Sequence, residues 1–370
     1  MVQRVRVLVV EDSLTARRQI VDLLAADPDC EVVGEAASGA AALALCGELR
    51  PDVITLDMML SDDVTGLDVT EHVMGFQPTP ILIVSASVNR GEALRTFDAL
   101  SAGAVDVLEK PRAGEDIAAW GQRLVTTVKL VARIKVVTHV RGRLRARLGS
   151  SPDLAAPRLP AAASPPSPPP ARRYRLVAVG ASTGGPGAVL QIFGGAAAPL
   201  PLPVLLVIHI SPGFGFMFAE WLGKSLPVAV AEATDGLPLP LPGRSQVIVA
   251  PPDHHIVVEG GRVRLSTGPE RHGCRPSVDV LFESVARELG PAAIGCLLTG
   301  MGRDGAEGLL AMKQAGAATL AQDERSSVVF GMPREAIALG AAGHVLPLAD
   351  FHSTLTALVE GTATWGGRGP

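Results

Sequence analysis

Short runs of Val, Ile and Leu alternate with segments of helical period from the first residues of the chain. The runs Val5–Val10, Glu31–Ala36, Asp52–Leu56, Pro80–Val84 and Val105–Leu108 are apolar with little alternation. That is the pattern of strands covered on both faces, and it predicts a parallel sheet. The segments Leu14–Ala26, Gly39–Leu49, Leu67–Phe76, Gly91–Ala102 and Glu115–Val128 read as the helices between and after them. Five successive βα units predict a doubly wound domain over residues 1–127.

The pattern then breaks. Lys129–Leu148 sets Lys129, Arg133, Lys135, Arg141, Arg143, Arg145 and Arg147 among scattered apolar residues. It reads as a helical extension running into a solvated basic linker, or as a basic amphipathic helix for an acidic partner or membrane surface. Ser151–Ala171 (SPDLAAPRLPAAASPPSPPPA) is a Pro/Ala/Ser spacer, completing a linker over residues 128–172. At ~3 Å per residue such a spacer could separate two domains by up to roughly 60 Å. From Arg173 the βα alternation resumes. Strands are predicted at Leu176–Gly180, Pro203–Ile208, Gln246–Val249, Ala292–Leu298 and Ala317–Ala321. Helices are predicted at Gly187–Phe193, Phe216–Lys224, Val278–Leu289, Gly305–Gln314 and Arg334–Leu339. His255–Leu265 reads as a hairpin turning at Gly260-Gly261. The result is a second doubly wound parallel α/β domain over residues 173–365.

Composition narrows the function classes. A chain of 370 residues, 47% hydrophobic and 19% charged, has the material for two globular cores. A net charge of −4 and an aromatic content of 4% argue against nucleic acid as a partner. Cys30, Cys46, Cys274 and Cys296 are scattered without a C-x-x-C pair, so buried reduced thiols are expected rather than disulfides or structural zinc. Prolines 199, 201 and 203 interrupt the longest apolar candidate, and acids follow the first strand too soon for a secretory signal. A cytoplasmic protein without direct membrane insertion is expected.

Two constellations carry chemistry. Glu11 and Asp12 follow the first strand and Asp57 the third, so in a parallel sheet all three emerge at one carboxyl edge. Clustered carboxylates favour a hard divalent cation such as Mg²⁺. Ser85 ends the fourth strand and Lys110 the fifth, adding a hydroxyl and a cation to the same pocket.

In the second domain, Arg175–Leu190 (RLVAVGASTGGPGAVL) runs from a strand into a serine, a glycine turn and a helix start. Ser182, His209 and Asp304 each follow a strand end, as a nucleophile, base and orienter would. Each alone has a plainer reading. Ser182 and Asp304 could cap helices, and His209 could be a hydrogen-bonded core histidine. Amides of residues 183–185 or 300–302 could serve an oxyanion. GASTGGPG could also bind phosphate, but it lacks the G-x-G-x-x-G spacing and the P-loop lysine. His254 and His255 invite a metal reading, yet neighbours on a strand face opposite sides.

The first domain resembles a two-component receiver of flavodoxin-like (βα)5 fold on its Glu11, Asp12, Asp57, Ser85 and Lys110 pattern. The resemblance implies Asp57 as phosphoacceptor, Mg²⁺ bound by Glu11, Asp12 and Asp57, Ser85 and Lys110 as switch residues, and a histidine kinase as phosphodonor. Three departures stand out: the loop Met58–Gly66 is longer and lacks a proline, Met59 sits where a metal-site carbonyl is expected, and Val107 replaces the switch aromatic.

The second domain is similar to the catalytic domain of the chemotaxis protein-glutamate methylesterases, the CheB family. The matching strings are VAVGASTGGP, VIHISPGFGFMFAEWL, VIVAPPDHH, CRPSVDVLF, LTGMGRDGAEGL and QDERSSVVFGMPREA. This implies a serine hydrolase, needing no catalytic cofactor, that cleaves glutamate γ-methyl esters on chemoreceptors and deamidates receptor glutamines. Ser182 would be nucleophile, His209 base and Asp304 orienter, with Met301 and Thr183 near the oxyanion, and Arg275 and Phe214 touching substrate. The tandem layout implies that the unphosphorylated receiver covers the hydrolase cleft. A non-catalytic adaptor, or an esterase for another modified protein, are the alternatives.

Overall fold

The structure, a computed structural model, describes residues 4–86, 90–112, 114–134, 136, 174–195 and 199–362. The basic segment beyond residue 136 and the Pro/Ala/Ser spacer lie outside them.

In the first domain β1 (Val5–Val10), β2 (Cys30–Ala36), β3 (Val53–Leu56), β4 (Ile81–Ser85) and β5 (Asp106–Glu109) form one parallel sheet in the order β2-β1-β3-β4-β5. Helices α1 (Leu14–Ala25), α2 (Gly39–Leu49), α3 (Gly66–Phe76), α4 (Arg90–Ser101) and α5 (Ile117–Val131) connect and flank it. The order in which successive strands are added reverses at β1, between β2 on one side and β3 on the other, which opens a crevice at the carboxyl ends of β1 and β3.

The second domain repeats the principle on a larger scale. Its strands are β6 (Leu176–Ala181), β7 (Pro203–Ile208), β8 (Ala229–Glu232), β10 (Gln246–Val249), β13 (Ala293–Leu297), β14 (Ala318–Gln322) and β15 (His344–Leu346). They are parallel, in the order β15-β14-β13-β6-β7-β10-β8. Helices α6 (Gly185–Gly194), α7 (Pro212–Ser225), α8 (Val278–Leu289), α9 (Ala306–Gln314), α10 (Met332–Ala338) and α11 (Phe351–Glu360) cover its faces. The expected hairpin is β11 (His255–Glu259) with β12 (Arg262–Ser266), and β9 (Leu237–Pro238) adds a third antiparallel strand. No described helix is long and apolar enough to cross a membrane.

The two domains share a core. Phe97 of α4 is fully buried, with ring centroids 6.4 Å from Phe214, 5.4 Å from Phe218 and 5.2 Å from Trp221, all on α7. Trp221 Nε1 donates to Asp98 Oδ1 at 2.9 Å, and Arg90 pairs with Glu220 at 2.6 Å. Phe214, expected to touch substrate, is fully buried against α4 of the first domain in this arrangement.

Three further expectations need correction. The helix predicted to start at Phe216 starts at Pro212, because a proline is well tolerated in a first helical turn. The edge strands β8 and β15 and helix α11 were not predicted. Cys274 is partly exposed, while Cys30, Cys46 and Cys296 are buried; all four are free thiols.

Candidate active site

The centre of the second sheet places Ser182, His209 and Asp304. Ala181 pairs with Ile208, so the next residues, Ser182 and His209, leave adjacent strands side by side. Their backbones stay tied: the His209 amide donates to Ala181 O, and the Ser182 amide to Thr299 O, each at 3.0 Å. Two glycines permit this convergence. Gly184 turns the chain at φ 79°, where a Cβ would lie 2.6 Å from Val328, and a Cβ at Gly300 would lie 2.7 Å from Ser182 Cβ.

Asp304 arrives from the loop after β13 and is 2% exposed. The N-terminus of α8 holds its carboxylate: Oδ1 accepts Ser277 Oγ at 2.7 Å and the Asp279 amide at 3.1 Å, and Oδ2 accepts the Val278 amide at 2.7 Å. The same Oδ2 bonds His209 Nε2 at 2.9 Å. His209 Nδ1 is thus the nitrogen left to take a serine proton. It faces Cys274 Sγ at 3.9 Å, and the Ser182 hydroxyl makes no hydrogen bond among the described residues.

Electrostatics follow from this packing. Burial pushes the His209 pKa down, but the bonds to Asp304 and Cys274 outweigh it and lift it to about 9. Burial also opposes the charge on Asp304, yet His209 and the α8 amides bring it down to about 2. A base works only when neutral, so kcat/KM is expected to rise with pH through about 9. A Cys274→Ala variant removes one raising interaction and should move that limb to lower pH, as a pH–rate series would show. A limb at the ordinary histidine position in both proteins would contradict the assigned environment.

The oxyanion expectation narrows. The Gly185 amide is spent on Ser182 O and the Gly300 amide on Val329 O. Among the described residues, the amides of Thr183, Gly184, Met301 and Gly302 donate to no protein acceptor. The Met301 side chain is exposed. Thr183 is buried, and its hydroxyl donates to Asp106 Oδ2 at 2.7 Å, across the domain interface. Ser211 Oγ reaches Val107 O at 3.4 Å beside it. Strand β5 of the first domain thus lies against the loop that follows Ser182.

Arg275 is half-buried, its Nη1 donating to Gly268 O at 3.2 Å. His255 is buried and spans Ser277 N and Pro269 O, so it supports the α8 start rather than a metal. His254 bonds Pro252 O instead.

The crevice at the carboxyl ends of β1 and β3 gathers Glu11, Asp12, Asp57 and Lys110. Lys110 Nζ lies 2.7 Å from both Glu11 Oε2 and Asp57 Oδ2. Burial, opposed by the Lys110 bond and reinforced by Asp57, raises the Glu11 carboxyl above its usual range. Oxygen atoms of Glu11, Asp12 and Asp57 lie within 4.8 Å of one another, an all-oxygen set that fits a hard cation. Ser85 is buried, but its hydroxyl donates to Glu92 rather than toward Asp57.

Residues 177–355 match the family model described as CheB methylesterase, and residues 7–120 match the response regulator receiver domain. "Protein-glutamate methylesterase/protein-glutamine glutaminase 2" of Anaeromyxobacter dehalogenans is 41% identical over 356 residues, covering 96% of this chain and 97% of the relative. A like-named protein, numbered 3, of the same organism is 44% identical over 346 residues, covering 92% of this chain and 95% of its own. The crystal structure of the Thermotoga maritima CheB methylesterase catalytic domain is 34% identical, covers 50% of this chain and 99% of its own, and superposes with a TM-score of 0.47.

Proposed function

We propose, for a chain that belongs to the CheB methylesterase family, a phosphorylation-gated hydrolysis of protein glutamate γ-methyl esters and deamidation of glutamines, with chemoreceptors as substrates. The observation that carries the reading is the His209–Asp304 pair, held at 2.9 Å beside the strand end that presents Ser182.

Ser182 Oγ attacks the ester carbonyl while its proton passes to His209 Nδ1. Asp304 fixes the Nε2–H tautomer and stabilises the imidazolium that forms. Free amides at Thr183, Gly184, Met301 and Gly302 are candidates to receive the oxyanion. Collapse expels methanol, which takes the proton from His209. Water then attacks the acyl-enzyme by the same proton route and frees glutamate. A glutamine side chain passes through the same intermediate and releases ammonia. The test is methanol release from methylated receptor cytoplasmic fragments, with glutamine-to-glutamate conversion read by mass spectrometry. Failure of both on every receptor fragment would overturn the substrate assignment.

Glu11, Asp12 and Asp57 would hold Mg²⁺, which neutralises charge on an incoming phosphoryl group. Lys110 would hold the phosphorylated carboxyl in place. The receiver seals the cleft through Phe97 on α7 and Asp106 on Thr183. Tethering supports even a weak seal, since it keeps the receiver at about millimolar local concentration. Phosphorylation of Asp57 loosens the seal.

Phe97→Ala is therefore expected to raise the unphosphorylated rate about tenfold, the effect of losing ~1.4 kcal/mol of interface energy. Phosphodonor should add little further in that variant. An unphosphorylated rate equal to wild type, in a variant that stays folded at the assay temperature, would count against the seal.

A further inference from the structure

Cys274 differs from the other three cysteines in place as well as exposure. It closes a turn in which the Arg271 and Cys274 backbones bond each other, and its Sγ stands 3.9 Å from His209 Nδ1. Two features make this pair more than a polar contact. The first is the ring's other nitrogen, bonded to Asp304 Oδ2. A histidine tied to a carboxylate on one side, with its other nitrogen facing a thiol, is the arrangement found behind metal-bound imidazoles. The second is the spacing. Zinc bonds of ~2.0 Å to nitrogen and ~2.3 Å to sulfur place tetrahedral partners about 3.6 Å apart, so the observed separation needs only a small contraction.

The carboxylate completes the group, since ligand atoms of His209, Cys274 and Asp304 all lie within 4.8 Å of one another. Asp304 already accepts four hydrogen bonds, which suits it to orient the imidazole rather than to bind directly. A neighbouring group, His272, Asp279 and Glu307, offers no comparable space. The Arg271 guanidinium occupies it, pairing with Asp279, Glu283 and Glu307.

We propose that His209 Nδ1 and Cys274 Sγ form a binding site for a thiophilic divalent ion of the zinc type, and that its occupancy silences the hydrolase. A mixed nitrogen and sulfur pair selects such an ion over Mg²⁺, which belongs to the all-oxygen receiver crevice. Water fills the remaining positions. Binding converts the Cys274 thiol to thiolate and releases its proton to solvent. Inhibition follows because the ion occupies the lone pair that must receive the Ser182 proton. This second part rests on His209 being the base; the metal site does not.

The test uses the full-length chain and two probes. Cobalt(II) chloride reports a sulfur ligand through its thiolate-to-metal absorption in the near ultraviolet. Zinc chloride is titrated against methanol release. The native protein should show the cobalt band and lose activity with zinc. Cys274→Ala should lack the band and need about tenfold or more zinc for half-inhibition. No band in the native protein, an equal band in Cys274→Ala, or half-inhibition of Cys274→Ala at the same zinc concentration as the native protein would each overturn the site. A band in the native protein without zinc inhibition would leave the ligand pair standing and overturn the silencing of the hydrolase.

Discussion

Ser182→Ala is expected to lower methanol release by about 10⁴-fold or more, with receptor binding and melting temperature unchanged. The hydroxyl makes no internal hydrogen bond among the described residues, so its loss removes no fold contact. The residue is half-buried at the end of β6, and the backbone bonds that fix the turn, from Ser182 N to Thr299 O and from Gly185 N to Ser182 O, survive the change. Only the nucleophile disappears. Oxyanion donors and binding alone would leave some rate above water, so a small residual activity is compatible with the assignment. A variant with a rate close to wild type would remove Ser182 from the chemistry and favour the adaptor reading.

Asp304→Asn should cost about 10⁴-fold in kcat, for a different reason. Each carboxylate oxygen accepts two hydrogen bonds: one from Ser277 Oγ and Asp279 N, the other from His209 Nε2 and Val278 N. An amide can offer only one acceptor oxygen. Its NH₂ must then face donors, either at the α8 N-terminus or at His209. In both cases the imidazole loses its anionic partner and the preferred tautomer.

The pH profile separates this from simple unfolding. Asp304 is one cause of the raised His209 pKa, so the alkaline-rising limb should move down from about 9 in the variant. The carboxylate is also a stability element. Its pKa is lowered from 3.8 to about 2, so its contribution is present above the unfolded value and is lost as pH falls through about 2. A drop in kcat with the limb unmoved would indicate a structural defect rather than a lost orienter.

Most of the layout was legible because parallel sheets write themselves plainly. Fully covered strands such as PVLLVI at β7 leave an uninterrupted apolar run, and residues after them fall at one edge. Edge strands do not carry that signal. In β8, AVAE has two exposed residues, and β15 spans only His344–Leu346. The support of Asp304 by α8 was missed because it joins segments distant in sequence, although Ser277 ahead of a helical period is a recognisable cap.

The domain interface was least legible. Phe97 has the spacing of an ordinary core residue of α4, and no local pattern shows that its partners are Phe214, Phe218 and Trp221. Asp106 likewise reads as a polar strand start. Its partner Thr183 becomes evident only when the domains meet. The contact between Cys274 and His209 has the same origin, a turn folded back onto the end of another strand.

The proposed gate would join the two sites, and one measurement tests it most directly. Methanol release from methylated receptor fragments is followed on one preparation of the full-length chain before and after a small-molecule phosphodonor and Mg²⁺ are added, with Asp57→Asn in parallel. The expected result is a rise in the native protein and none in Asp57→Asn. Equal rates before and after, with Asp57 demonstrably phosphorylated, would contradict a receiver that seals the Ser182 cleft.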